Sequence, residues 1–199
     1  MAKSEFTLRL VSALVLIPVT LAAVWYGGLA FGGLLWLGGI AVAWEWSRIV
    51  ESQAFGARFW SLAVLVTAFV VASGLADAGL ALAAIAAGIA VVAGVDLLRR
   101  RLNWWSLGAV AGVGMPVLAL LVLRGSPMLG LVATIWLMVL VWAGDSAAYV
   151  TGRLLGGPRL APAISPGKTW SGAVGGLIAS GVVGLVVAWI IGGTSPVSL

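Results

Sequence analysis

Residues 172–192 read GAVGGLIASGVVGLVVAWIIG, a run of apolar and small side chains without one charge. Coiled as an α-helix at about 1.5 Å per residue, it crosses the roughly 30 Å hydrocarbon core of a bilayer. Comparable runs lie near 10–26, 29–46, 59–76, 79–95, 107–123 and 128–149, which predicts about seven spanning helices. Of the 199 residues, 62% are hydrophobic and 9% charged, whereas a soluble domain carries about a quarter charged residues. The expected fold is an all-α polytopic membrane helix bundle, a single integral membrane domain over residues 1–199. Its first run follows Lys3 and Arg9 as the core of a signal peptide would. It is long for that role and is followed by more membrane sequence, so it reads as the first span.

Basic residues set the expected orientation. With the amino terminus in the cytoplasm, Lys3, Arg9, Arg48, Arg58, Arg99, Arg100, Arg101, Arg153, Arg159 and Lys168 fall inside and only Arg124 outside. That is the positive-inside distribution. Trp44, Trp46, Trp60, Trp104 and Trp105 then stand near the cytoplasmic interface, where an amphipathic indole is favoured. Arg99–Arg101 reads as a topology anchor, with attraction to anionic headgroups as the alternative. Within the opening run, Gly172, Gly176, Ser180, Gly184 and Ala188 recur every fourth position, which predicts a face for close helix packing. Gly108 and Gly112 offer a shorter version.

Upstream of that run lies the polar stretch 145–171, expected as a cytoplasmic loop carrying a phosphate or nucleotide site. It contains Gly167-Lys168-Thr169, the end of a P-loop, but that motif needs a glycine where Pro162 stands and a strand before it. The stretch therefore reads against a P-loop. Asp145, Tyr149 and Arg153 are spaced by four and share one face if the sixth run continues as helix. An acid at a membrane helix end points either to a functional site or to an aspartate that reaches headgroup water and pairs with Arg153. Ser165-Pro166 reads as an N-cap and first helical residue. On that reading the amides of residues 167–169 are free at the start of the last helix, and with Lys168 they form an anion site. The alternative is a capped helix whose lysine touches lipid phosphate. Elsewhere, Glu45 is expected to pair with Arg48 at i+3, and Asp77 and Glu51 read as loop charges. Without cysteine or histidine, thiol chemistry and imidazole catalysis are both excluded.

Asp145-Ser-Ala-Ala-Tyr149, Gly152-Arg153 and Leu160-Ala-Pro-Ala-Ile-Ser-Pro-Gly-Lys-Thr-Trp170 followed by Gly172 resemble the central motif block of the phosphatidate cytidylyltransferase (CDP-diacylglycerol synthase) family. Trp44-Glu45-Trp46 is similar too. The resemblance implies a bacterial inner-membrane enzyme with a cytoplasm-facing active site. It would join CTP and phosphatidic acid into CDP-diacylglycerol and pyrophosphate with Mg²⁺ or another divalent cation. It implies Asp145 and Lys168 as catalytic, Asp145 as the metal ligand, and Ser146, Tyr149, Arg153, Ser165 and Thr169 as substrate-binding. A homodimer is compatible with it, and nothing points to nucleic acid. The family also carries two further helices with a Lys-Asp element, a His-Gly-Gly run and a closing Asp-Arg-x-Asp that holds metal, none of them in this sequence. Ser171 stands where many members have Glu or Gln. The expectation is therefore a fragment, a degenerate copy or a chain completed by a partner, with weak or no turnover alone. The alternatives are a non-catalytic paralogue that binds phosphatidate or nucleotide, and a small membrane transport or structural protein.

Overall fold

A helix stands at every apolar run, as the predicted periodicity requires. The computed structural model describes residues 2–75, 78–100, 104–163 and 165–194. Asp77 and Arg101 lie outside the described residues, as do the side chains of Lys3 and Arg9. In chain order the elements are α1 (Ala2–Tyr26), α2 (Gly28–Glu51), α3 (Ala57–Ser73), α4 (Ala78–Leu98), α5 (Trp104–Ala109), a π-helical turn (Val110–Gly114), α6 (Met115–Gly125), α7 (Gly130–Leu155), β1 (Arg159–Ala161), β2 (Ser165–Thr169) and α8 (Trp170–Thr194). Among the described residues, α2, α4, α7 and Trp170–Ile190 of α8 are long and apolar enough to cross a membrane, while Leu14–Tyr26, α3 and Val110–Gly125 are shorter apolar helices. Large apolar side chains such as Leu177, Leu185 and Trp189 face outward along α8. Water would penalise that surface and hydrocarbon does not. The chain is an integral membrane protein, helical among the described residues apart from a short hairpin.

The chain divides into two compact units, residues 1–131 and 132–199. In the first, α3 is central: Phe59, Leu62, Leu65, Val66 and Phe69 recur at helical spacing and are buried together with Val92 of α4 and Val113 and Val117 beyond α5. The glycines that weaken 29–46 and 79–95 as helix formers lie where neighbours come close. A Cβ on Gly39 would stand 2.8 Å from Val66, and one on Gly88 would stand 3.0 Å from Ala68. The run predicted at 107–123 is interrupted by the π turn, where the Met115 N–H reaches back five residues to the Val110 carbonyl. Pro116 follows directly and has no N–H to give, so the ladder must be reset there. Gly108 and Gly112 pack as expected, but they receive the indole of Trp46, at 3.2 and 3.3 Å from a built Cβ, rather than a helix backbone.

Charges in this unit depart from expectation. Glu45 does not pair with Arg48, whose guanidinium lies 4.6 Å from the centre of the Trp44 ring. The indole face offers a cation attraction without holding an exposed glutamate in one rotamer. Glu51, read as a loop charge, is buried between Arg58 at 3.4 Å and Arg99 at 3.5 Å. Arg58 also pairs with Asp96 at 2.7 Å, both nearly devoid of solvent contact. Asp96 carried no signal in the sequence because its partner is 38 residues away. Arg124 is spent locally: its Nε donates to the Val24 carbonyl at 2.7 Å and Nη2 to that of Trp25 at 3.1 Å, closing the C-terminal end of α1.

In the second unit α7 and α8 run antiparallel along the small-residue stripe. A Cβ on Gly172 would meet the Ala148 carbonyl at 2.8 Å, and one on Gly176 would meet that of Gly144 at 2.9 Å. One turn further, Ser180 Oγ donates to the Leu140 carbonyl at 3.2 Å, and beyond it the Trp136 indole N–H donates to the carbonyl of Gly184 at 3.0 Å. Each step of four up one helix is matched by four down the other, as close backbone approach in a membrane requires.

Candidate functional site

The sequence placed a helix start at Ser165, and the structure moves it to Trp170. Residues 165–169 form β2, antiparallel to β1, with Arg159 opposite Thr169 and Ala161 opposite Ser165. The cap is Thr169, whose Oγ1 accepts the Gly172 N–H at 3.1 Å, as an N-cap hydroxyl does three residues before its donor. Ser165-Pro166 has local cap chemistry, but pairing with β1 gives its backbone a different set of partners. The amides of 167–169 therefore belong to a strand rather than to the first turn of α8, and the anion site expected there does not exist in that form.

A small hydrogen-bonded knot holds the hairpin onto α8. The chain leaves α7 through Gly156 and Gly157, both at positive φ (60° and 101°), where a side chain would be strained. Ser171 Oγ donates to the Gly156 carbonyl, so the hydrogen shared between Thr169 Oγ1 and Ser171 Oγ, 3.0 Å apart, comes from Thr169. The Trp170 N–H donates to the Pro158 carbonyl at 3.1 Å. Thr151 Oγ1 bonds the carbonyls of Ala147 and Ser171, tying α7 to the same point.

Beside this knot the end of α7, the hairpin and the start of α8 enclose a cleft of about 800 Å³. It brings together Asp145, Tyr149, Arg153, Lys168 and Thr169, five of the residues singled out from sequence, and adds Arg159. Ser146 and Ser165 are not among its lining. Asp145 and Arg153 share a face but do not pair. Arg153 Nη1 instead donates to the Tyr149 hydroxyl at 2.8 Å, its guanidinium 6.0 Å from the ring centre. The side chains of Asp145, Arg159 and Lys168 make no hydrogen bond or ion pair with the described residues. Three cations thus face one carboxylate, the only acid in residues 132–199. Such a cleft attracts anions. Thr169 is nearly buried and its proton is used within the knot, so it shapes the cleft wall. Arg159 was missed as a site residue because in sequence it is one basic residue of ten on the inner side; its place opposite Thr169 is visible only once the hairpin is known.

No group of three or more metal-ligating side chains occurs among the described residues. Asp145 is the one side chain in the cleft suited to a divalent cation.

A model of the family described as "Cytidylyltransferase family" matches residues 7–198. Similar curated proteins include the phosphatidate cytidylyltransferase of Brucella suis, 34% identical over 192 residues, covering 94% of this chain and 69% of that protein. The proteins of the same name from Pseudomonas aeruginosa (35% identical, 85% and 65% covered) and Haemophilus influenzae (30% identical, 92% and 71% covered) are also similar. No solved structure matches. With nearly its whole length matched by the family model and its motif residues gathered around one cationic cleft, the chain belongs to the cytidylyltransferase family.

Proposed function

We propose that this chain transfers the cytidylyl group of CTP to phosphatidic acid, giving CDP-diacylglycerol and pyrophosphate for phospholipid synthesis. The observation that carries the reading is the cleft itself: uncommitted cations and one uncommitted carboxylate gathered at the end of an apolar helix pair. A phosphate-bearing nucleotide and a lipid with a phosphate head and hydrocarbon tails suit such a site.

In this reaction an oxygen of the phosphatidate phosphate bonds to the α-phosphorus of CTP. The bond from that phosphorus to the bridging oxygen breaks, and its electron pair leaves with pyrophosphate. No protein nucleophile is needed, which suits a chain without cysteine or histidine. The protein's part is to hold two anions in line and to neutralise their charge. Lys168 and Arg153 face the phosphates, and Tyr149 holds Arg153 in one orientation. Mg²⁺ is commonly held by one or two carboxylates together with substrate phosphates and water, and the single carboxylate of this cleft fits one ion on those terms. A divalent cation there supplies charge neutralisation of the triphosphate.

We further infer that the three shorter apolar helices cross the membrane as well, making seven spans with the amino terminus and the cleft on the cytoplasmic side, where CTP is found. The ten-to-one distribution of basic residues supports this, and bacterial relatives suggest the inner membrane.

The test supplies phosphatidate in mixed micelles, labelled CTP and Mg²⁺ to the purified chain. CDP-diacylglycerol should form, against the weak or absent turnover that the missing family motifs suggested, and Asp145→Asn should abolish it while leaving CTP bound. Retained CTP binding without product would favour a non-catalytic paralogue; absence of binding to either substrate would overturn the reading.

A further inference from the structure

We propose that Arg159 is a phosphate-binding residue of the cleft, holding two oxygens of one substrate phosphate with its guanidinium beside the charge of Lys168. The proposal rests on the substrate reading above and extends it to a residue outside the motifs that carried it.

Three observations converge. Arg159 lines the cleft with an exposed side chain and no partner among the described residues. Its backbone is nonetheless held: the residue before it accepts the Trp170 N–H at 3.1 Å, and Arg159 itself is in register with Thr169, the cap of α8. Side chains alternate between the two faces of a strand, so the register sets Arg159 beside Thr169 rather than Lys168; what brings the two charges together is the cleft that both residues line. The third observation is the charge balance. Arg153 is engaged by Tyr149, while Arg159 and Lys168 have only the Asp145 carboxylate as opposite charge in the unit. Two unpaired cations lining one cleft repel each other until an anion lies between them. A planar guanidinium matches two phosphate oxygens at once, and an ammonium serves as a point charge beside it.

The ligand chemistry is a phosphate carrying at least one full negative charge, from either the lipid headgroup or the nucleotide. The experiment separates these sources. Wild-type chain, Arg159→Gln and Arg159→Lys are compared for labelled CTP binding in detergent and for binding to phosphatidylcholine vesicles doped with phosphatidate or, as a charge control, phosphatidylglycerol. In one of the two substrate arms Arg159→Gln should weaken binding about tenfold or more, and Arg159→Lys should restore only part of it because one ammonium cannot reproduce the fork. Loss confined to CTP assigns the nucleotide phosphate, and loss confined to phosphatidate vesicles assigns the lipid phosphate. Unchanged binding in both arms overturns the proposal, as does an equal loss on phosphatidylglycerol vesicles, which would mark Arg159 as a surface charge only. Wild-type chain that binds neither CTP nor phosphatidate would instead overturn the substrate reading, an outcome distinct from failure of Arg159 alone.

Discussion

Arg124 and Lys168 are both cations near helix ends, and the chain uses them in opposite ways. Arg124 has its donors taken by the carbonyls of Val24 and Trp25, and Gly27 lies against it, with a built Cβ only 2.7 Å from Nη2 at φ 65°. Gly27→Ala should therefore destabilise the chain by about 1–2 kcal/mol, from left-handed strain alone before any displacement of the arginine. Thermal unfolding in detergent, with Gly28→Ala as a comparison where a Cβ meets nothing, measures the part due to Arg124. Lys168 has no such partner. Lys168→Ala should weaken CTP or phosphatidate binding by about tenfold while leaving the melting temperature unchanged, because nothing in the fold leans on its ammonium. Equal losses of binding and stability would assign it a structural role instead. At this scale the sequence showed which residues carry charge but not which are satisfied. Ser165 looked like a cap and Thr169 is one, a distinction decided by a strand pairing that no local window contains.

Helices follow from apolar length, and their positions could be read from the sequence, although α1 begins eight residues before its apolar run and α7 continues six residues past its own. The hairpin could not. Its strands are short, hold Pro166 and Gly167, and are fixed by the knot of Gly156, Thr169 and Ser171 rather than by β propensity. The π turn is a second departure, for which Pro116 was a visible cue inside the fifth run. Helix pairing was better announced, since small residues every fourth position predicted the α8 face that α7 occupies. Gly176→Leu places a branched side chain where even a Cβ would be 2.9 Å from the Gly144 carbonyl. We expect a loss of about 1–3 kcal/mol, the usual range for overpacking. Proteolysis or thermal unfolding should register it, and Gly181→Leu, on an open face of the same helix, should be nearly silent.

For the molecule as a whole, the topology prediction is direct. Reporter fusions after Tyr26 and Ser126 should read external, and those after Arg58 and Gly157 cytoplasmic; the reverse pattern would place the cleft away from CTP. The buried ionic network gives a second test. Asp96→Ala leaves Arg58 buried with only Glu51 at 3.4 Å, and should cost about 3–5 kcal/mol, read as loss of folded protein in detergent. Replacing Arg58 and Asp96 together by Met and Leu should recover most of that stability. The contact pattern between α7 and α8 also has a consequence for alignment. Because its spacing repeats every four residues, the pair resembles a ratchet with equivalent notches, and sliding by one notch would keep small residues facing carbonyls. That slide would carry Asp145 about 6 Å along the axis relative to Lys168, nearly the span of two phosphates. The knot at Gly156, Thr169 and Ser171 has no copy one notch away, so it acts as the pawl. Its few hydrogen bonds set the distance at which the two ends of the cleft can grip a polyanion.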